Sequence, residues 1–287
     1  MTTLVTGACG GFGRILCRAL RDRRVDDVVA VAHRAAGEDD VVECDVTDAE
    51  AVRNLICRVR PRLIYHLAGS FSNRYEIDYK VNAASARHLF EAAAEHAPGV
   101  RIVVMGSAAE YGIVEPEENP VDEGRVLKPV SIYGLTKALQ TNLAGYFAHA
   151  HGLEVMVARM FNLIAPGLSE RLFVGRVERL IASYRRGDVT KIEVGNLDSH
   201  RDYVGADEAV SQVRAIAARG LRGCVYHVAS GNAVSMRELL HGMLGAAQVP
   251  LDAVSERTPA AGGRTGYDAP LIYADMRRTR ALQEANA

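Results

Sequence analysis

No charge of either sign dominates this sequence. Across 287 residues, 34 Lys and Arg meet 35 Asp and Glu, for a net charge of −1. A basic excess, or Arg/Lys tracts interleaved with aromatics, would mark a nucleic-acid partner, and neither is present. Small phosphate-bearing molecules remain open, because they need a few placed arginines and no global field. Cysteines are five, an odd number, with no CxxC pair. That excludes a zinc ribbon or a disulfide framework and leaves reduced, mostly buried thiols. No metal site is expected. No apolar run approaches membrane-spanning length, so no membrane partner is expected. The strand-like Thr3–Thr6 follows Met1 almost at once and leaves no room for a leader, which points to the cytoplasm. Internal repeats and low-complexity tails are also lacking.

What is present is ordinary globular composition, 48% hydrophobic and 24% charged. The length allows a full core and one large domain or two unequal ones. Short apolar runs at Thr3–Thr6, Val28–Ala32, Val41–Glu43, Leu63–Leu67, Arg101–Met105 and Glu154–Arg159 are rich in Val, Ile and Leu without alternation. Strands buried on both faces look like this. Between them the amphipathic stretches Gly11–Arg23, Asp48–Arg58, Asp78–His96 and Ser131–His151 predict helices. The fold class is therefore α/β: a Rossmann-type, doubly wound parallel sheet. Residues 1–165 are expected to form the dinucleotide-binding domain, with segments returning later in the chain. Residues 166–287 have a less regular rhythm and are expected to form mainly a smaller substrate-binding lobe. They contain the Gly/Pro-rich loop 258–270.

In "SIYGLTKA" (131–138), Tyr133 and Lys137 stand one helical turn apart, on one face. An ammonium beside a phenol favours the phenolate and lowers its pKa from about 10, which makes a general acid/base. A packed tyrosine with a solvated lysine is the plain alternative, so the pair needs partners elsewhere. "TGACGGFG" (Thr6–Gly13) supplies one, because Gly7, Gly10 and Gly13 fall between the first strand and the first helix. Glycines there permit a tight turn and close backbone approach, and the helix amino end, with Gly11 and Phe12, faces a pyrophosphate.

Further residues stand at strand ends. Asp45 and Val46 follow the third strand and could meet an adenine. Leu67, Ala68 and Gly69 end the fourth with small residues where a cofactor would lie. Asn82 is in the next helix, and Ser107 ends the fifth strand. Each has a bland reading as cap, polar helix residue or turn former. The second strand ends "VAVAHR", with no acid to hold a ribose diol. His33 and Arg34 stand where a 2′-phosphate could be met, so NADP(H) is expected over NAD(H), which remains possible.

With these residues together, the sequence resembles the extended short-chain dehydrogenase/reductase family, in its nucleotide-sugar (epimerase/dehydratase) branch. "ARMFN" (158–162) and "RDY" (201–203) add to the resemblance. Residues 106–112, 194–204 and 226–240 look most like the GDP-4-keto-6-deoxy-D-mannose reductase subgroup. The resemblance implies Tyr133 as acid/base, with Lys137 lowering its pKa and binding the nicotinamide ribose. It implies Ser107 on the reacting oxygen, Asn82 supporting the Lys137 end of the proton path, and Phe161 beside the cofactor. For a nucleotide-diphosphate sugar it implies Ser107, Glu110, Asn162 and Arg201, with Arg176 or Arg264 adding charge. It also implies a homodimer through the helices at 78–96 and 131–151.

The related 4,6-dehydratases carry a glutamate two positions before the tyrosine of the "YG" that follows the catalytic Ser or Thr. Here that place is Ala109, and in an extended segment Glu110 would point the other way. Reduction, not dehydration, is therefore expected: NADPH-dependent reduction of a nucleotide-linked 4-keto-6-deoxy sugar, GDP-linked first. The alternatives are a 4-epimerase with retained NAD and a non-catalytic NADP-sensing regulator.

Overall fold

The computed structural model describes residues 2–22, 27–35, 40–256 and 269–284. The chain opens with β1 (Thr2–Thr6), α1 (Gly11–Asp22), β2 (Asp27–Ala32), β3 (Val41–Glu43), α2 (Ala49–Val59) and β4 (Leu63–His66). It continues with α3 (Tyr75–Asp78), α4 (Ser85–His96), β5 (Arg101–Ser107), α5 (Ile132–Ala150), β6 (Glu154–Met160) and β7 (Asn162–Ile164). Then come α6 (Phe173–Arg186), β8 (Ile192–Val194), β9 (His200–Gly205), α7 (Ala206–Arg219), β10 (Val225–Val228), β11 (Ala233–Ser235), α8 (Met236–Ala246), β12 (Val254–Glu256), β13 (Leu271–Ile272) and α9 (Arg277–Glu284).

Among the described residues, seven strands form one parallel sheet in the order β3-β2-β1-β4-β5-β6-β10. This is the expected doubly wound arrangement. The continuous apolar character of the strands has a direct cause. Neighbouring residues such as Leu4 and Val5 feed opposite faces, Leu4 into the core beneath α2 and α4 and Val5 into the core beneath α1 and α7. Thr6 lies level with His66, and His66 with Val104, so the carboxyl ends of β1, β4 and β5 rise to one edge. Ligands gather at that edge in open α/β sheets.

Two local expectations differ from the structure. The helix expected over Asp78–His96 is interrupted, because a π-helical turn (Tyr79–Ala84) separates α3 from α4. The Ser85 N–H reaches back to the Lys80 carbonyl, five residues away, which swells the helix around Asn82. The segment after Ser107, expected to be extended, is a 3₁₀ turn over Ala108–Glu110. Its reason is a capping box: the Ser107 hydroxyl accepts from the turn's backbone while the Glu110 carboxylate accepts from the Ser107 N–H.

Beyond β6 the shorter strands build around β9, which pairs with β11 antiparallel and with β7 and β13 parallel. β8 and β12 form a separate parallel pair packed with α6 and α8. Buried Asp202 of β9 accepts from the Ser230 N–H and hydroxyl, the Gly231 N–H and the Ala274 N–H. One carboxylate thereby ties β9 to the turn after β10 and to the segment leading into α9. Among the described residues no helix is long and apolar enough to cross a membrane.

Candidate active site

The glycine turn is shaped for a close approach. Gly7 has φ +69°, and a Cβ there would stand 2.7 Å from the Ala68 nitrogen. A Cβ on Gly13 would fall 2.2 Å from the Gly7 carbonyl, so α1 starts hard against the turn. The Gly10 N–H closes the turn on the Gly7 carbonyl at 2.9 Å, and Gly10 itself is exposed. The amides opening α1, at Gly11 and Phe12, have no carbonyl one turn earlier in the helix, and an anion satisfies such groups. The turn therefore fits the pyrophosphate of a dinucleotide.

At the end of β2, His33 and Arg34 are exposed, and His33 Nδ1 lies 3.8 Å from Asp45 Oδ2. Asp45 accepts from the Thr47 N–H and hydroxyl at 2.9 and 2.8 Å. The Thr47 N–H is the largest cause holding this carboxyl below its usual range, with His33 adding to it. Beside it, Val46 is half-buried and packs on the core. An acid does reach this corner, from β3: Glu43 Oε1 accepts the Ala35 N–H at 2.8 Å. Sequence reading missed it because the residue belongs to the next strand.

At the end of β4, His66 is fully buried between the Thr6 hydroxyl (2.8 Å) and the Ser85 hydroxyl (3.2 Å). Burial, with a contribution from the Lys137 charge, pulls it down to about 3, so it is neutral at working pH. Leu67 and Ala68 are half-buried and Gly69 is exposed. Asn82 is buried and its amide is spent on loop geometry. It accepts from the Ser70 N–H and donates to the Ser70 carbonyl and the Thr136 hydroxyl, at 2.8, 2.9 and 2.9 Å. Its expected support of Lys137 is thus indirect. Asp78 binds Ser70, Ser72 and Asn73, fixing the rest of that loop. From it the Phe71 ring meets the Tyr133 ring edge-on at 4.8 Å.

Ser107 and Tyr133 converge here: the Ser107 hydroxyl stands near enough to the phenol to draw its pKa down. Ser131 caps α5, placing Tyr133 in its first turn. Lys137, one turn on, is buried, and its Nζ donates to the Met105 carbonyl and Gln140 Oε1, each at 2.9 Å. Burial lowers Lys137 to about 8, partly countered by Glu110. Tyr133 differs from expectation. Burial raises its pKa, the nearby Ser107 hydroxyl draws it back, and the carboxylates of Glu110 and Asp78 push it up. The expected depression by Lys137 is missing because the ammonium is turned to Met105 and Gln140.

The expected substrate residues are scattered. Glu110 is fully buried, with Oε1 on the Ser107 N–H (2.7 Å) and Oε2 on Thr141 (2.8 Å) and on Arg159 Nη2 (2.9 Å). It faces the protein interior and not a substrate. Phe161, expected beside the cofactor, is 7% exposed and packs between Tyr111 and His227. Asn162 donates to the Asp202 carbonyl at 3.0 Å, and Arg201 donates to the His200 carbonyl at 2.7 Å. The Arg176 guanidinium lies 6.0 Å from the Phe173 ring. Arg264 lies outside the described residues.

Sequence reading quoted Arg159 in its motif and gave it no role. It is 1% exposed, bonded to Glu110 and, through Nη1 at 2.7 Å, to the Tyr111 hydroxyl, which meets His227 Nε2 at 2.5 Å. An arginine inside an otherwise apolar strand was the available signal, since buried arginines are rare unless paired. Among the described residues, no group of three or more His, Cys, Asp or Glu could hold a metal.

The model of the NAD dependent epimerase/dehydratase family matches residues 3–229. The GDP-6-deoxy-D-mannose reductase of Pseudomonas aeruginosa is 28% identical over 178 residues, 62% of this chain and 59% of that protein. The match thus spans less than two thirds of that relative's length. The dTDP-glucose 4,6-dehydratase of Streptomyces griseus is 30% identical over 270 residues, 86% of this chain and 79% of that protein. Among solved structures, RMD from Pseudomonas aeruginosa, complexed with NADPH, has the same fold at a TM-score of 0.86 and 23% identity. That likeness covers 99% of this chain and 92% of that one.

Proposed function

The chain belongs to the NAD dependent epimerase/dehydratase family, and from that premise we propose that it reduces a nucleotide-linked 4-keto-6-deoxy sugar with NADPH, GDP-linked sugars first. The observation that carries this reading is the placing of Ser107, at the end of β5, near Tyr133, in the first turn of α5, with no spare carboxylate in the adjoining turn, where Glu110 is spent in its capping box. Water elimination needs a base for a carbon acid. Ala109 has a methyl group in that place, and Glu110 is held inward by Arg159, Thr141 and the Ser107 N–H. Likeness to a dehydratase therefore does not extend to dehydratase chemistry.

The residues fit the cofactor. The Gly7–Gly13 turn and the start of α1 would hold the pyrophosphate, Asp45 the adenine end, and Lys137 with Leu67–Gly69 the nicotinamide end. A bound nicotinamide supplies the hydride. Tyr133 then gives its hydroxyl proton to the oxygen of the reacting carbonyl, and Ser107 donates a hydrogen bond to the same oxygen as charge builds there. The phenolate left on Tyr133 regains its proton from solvent, and Lys137, held on the Met105 carbonyl and Gln140, would bind the nicotinamide ribose.

For the cofactor we favour NADP(H). His33 and Arg34 are exposed at the corner where a 2′-phosphate would sit, and Glu43 is occupied by the Ala35 N–H. On the substrate side Asn162 and Arg201 are assigned to the diphosphate. A homodimer is supported by apolar side chains left exposed on α3, the π turn and α5, namely Tyr75, Ile77, Tyr79, Leu135 and Tyr146. Ala83, Ala92 and Ala93, by contrast, face the core.

A panel of GDP-, dTDP-, UDP- and CDP-linked keto-sugars with NADPH, followed by product stereochemistry, tests the reading. One NADPH oxidised per sugar reduced is expected. Turnover without net oxidation would identify an epimerase instead, and binding of NADPH without any turnover would identify a regulator.

A further inference from the structure

We propose that Glu110 is a positioning residue for Ser107, a carboxylate clamped by Arg159 and Thr141 that fixes the serine hydroxyl against Tyr133. The inference rests on the reading of Ser107 and Tyr133 as the proton-handling pair. Ser107 ends β5, where a strand would ordinarily splay into a loop. Glu110 Oε1 takes the Ser107 N–H at 2.7 Å, and the Ala109 N–H takes Ser107 Oγ at 3.2 Å. With its oxygen so engaged, the Ser107 hydroxyl is left to donate its hydrogen. The donor direction is set by the backbone before substrate arrives, which is the preorganisation a developing alkoxide requires.

Glu110 cannot drift, because Oε2 is held from two elements. Thr141 of α5 donates at 2.8 Å, and Arg159 of β6 donates through Nη2 and Nε at 2.9 and 3.2 Å. Arg159 is in turn anchored on Tyr111, and Tyr111 on His227, whose Nδ1 donates to the Asp275 carbonyl at 2.9 Å. The backbone makes room for the clamp. Gly106 stands in register with Arg159, and a Cβ there would fall 2.7 Å from Glu110 Oε1. A glycine just before the key serine thus leaves the space that this carboxylate needs. Thr141 lies two turns along α5 from Tyr133, so the same carboxylate ties the serine strand to the tyrosine helix.

Glutamine at 110 cannot replace the clamp, because its single oxygen goes either to Ser107 or to Arg159, and its NH₂ then confronts a donor. The test is a double-mutant cycle on the full chain with an accepted keto-sugar and NADPH. Ser107→Ala is expected to lower kcat by about 10²-fold, and Glu110→Gln by about tenfold through displacement of the serine. KM and the NADPH Kd are expected to stay unchanged. The double variant is expected to match Ser107→Ala alone, and Glu110→Asp, which keeps the charge, to recover part of kcat. A further tenfold loss in the double variant, or a loss seen in NADPH Kd and not in kcat, overturns the proposal.

If circular dichroism shows Glu110→Gln to be unfolded, Thr141→Val takes its place, leaving the charge pair intact. It is expected to lower kcat by about threefold, an effect absent in the Ser107→Ala background. A wild-type protein inactive on every keto-sugar contradicts the keto-sugar reductase reading itself. The clamp is then read from the phenolate titration of Tyr133 in the NADPH complex, with Tyr133→Phe as blank. Thr141→Val should move that titration upward, towards its position in Ser107→Ala, and an unmoved titration refutes the clamp.

Discussion

Replacing His66 by glutamine removes one titrating group from the middle of the cofactor edge and leaves a side chain able to meet both hydroxyl neighbours. In the folded protein, burial and the Lys137 charge hold His66 down to about 3. In the unfolded chain it titrates near ~6.5. Between those values the unfolded chain binds a proton that the folded one refuses. Stability from this group is therefore complete above pH ~6.5 and is lost as pH falls towards ~3. The slope is about 1.4 kcal/mol per pH unit once well below 6.5, so the loss at pH 5 relative to pH 8 is about 2 kcal/mol. That is a large share of a typical margin of ~5–15 kcal/mol. Urea unfolding of wild type and His66→Gln at pH 8, 6.5 and 5 measures it. The difference in unfolding free energy should shift by about 2 kcal/mol in favour of the variant as pH falls. His227, lowered to about 4 by burial, titrates in the same sense but in both proteins, and so cancels. A difference independent of pH would show that His66 takes a proton in the folded state and refute the buried Thr6–His66–Ser85 arrangement.

Three further outcomes follow from the site. Arg34→Ala should weaken NADPH binding and leave NADH binding unchanged, measured by titrating cofactor fluorescence; equal effects on both would remove the 2′-phosphate assignment. Because burial lowers Lys137 to about 8, reductive turnover should hold through neutral pH and fall above it as the ammonium loses its proton. In Lys137→Met that alkaline limb should vanish along with most of the rate, and its persistence would assign the limb to another group. Incubation with GDP-mannose or dTDP-glucose should give no 4-keto-6-deoxy product by mass spectrometry. Catalytic formation of one would mean that a carboxylate does reach the site despite Ala109.

The central sheet was legible because its physics is local. Strands buried on both faces must be apolar throughout, and glycines at Gly7 and Gly13 announce a turn that no side chain can enter. The residues brought to the carboxyl edge, from Thr6–Gly13 through His66–Gly69 to Ser107 and Tyr133, were readable for the same reason: each ends a strand or opens a helix. What stayed hidden depends on partners far along the chain. The π turn around Asn82 leaves the apolar stripe nearly unchanged, so periodicity runs through it. β7, β11 and β13 are two or three residues long and exist only through their pairing with β9. Glu110 was expected to meet substrate, and only the neighbouring strand shows that Arg159 neutralises it inside the protein. The Tyr133–Lys137 spacing was correct as helix geometry, yet spacing cannot say where an ammonium points. Here it points to Met105 and Gln140.

The proposed reaction depends on the Tyr133 hydroxyl, and Tyr133→Phe isolates it while keeping the ring against Phe71. Single-turnover NADPH oxidation with a GDP-linked 4-keto-6-deoxy sugar, together with the NADPH Kd of both proteins, is the direct measurement. One NADPH oxidised per sugar by the wild type is expected, with an unchanged Kd in the variant and a rate about 10²–10⁴-fold lower. A variant that reduces the sugar at the wild-type rate would contradict that dependence.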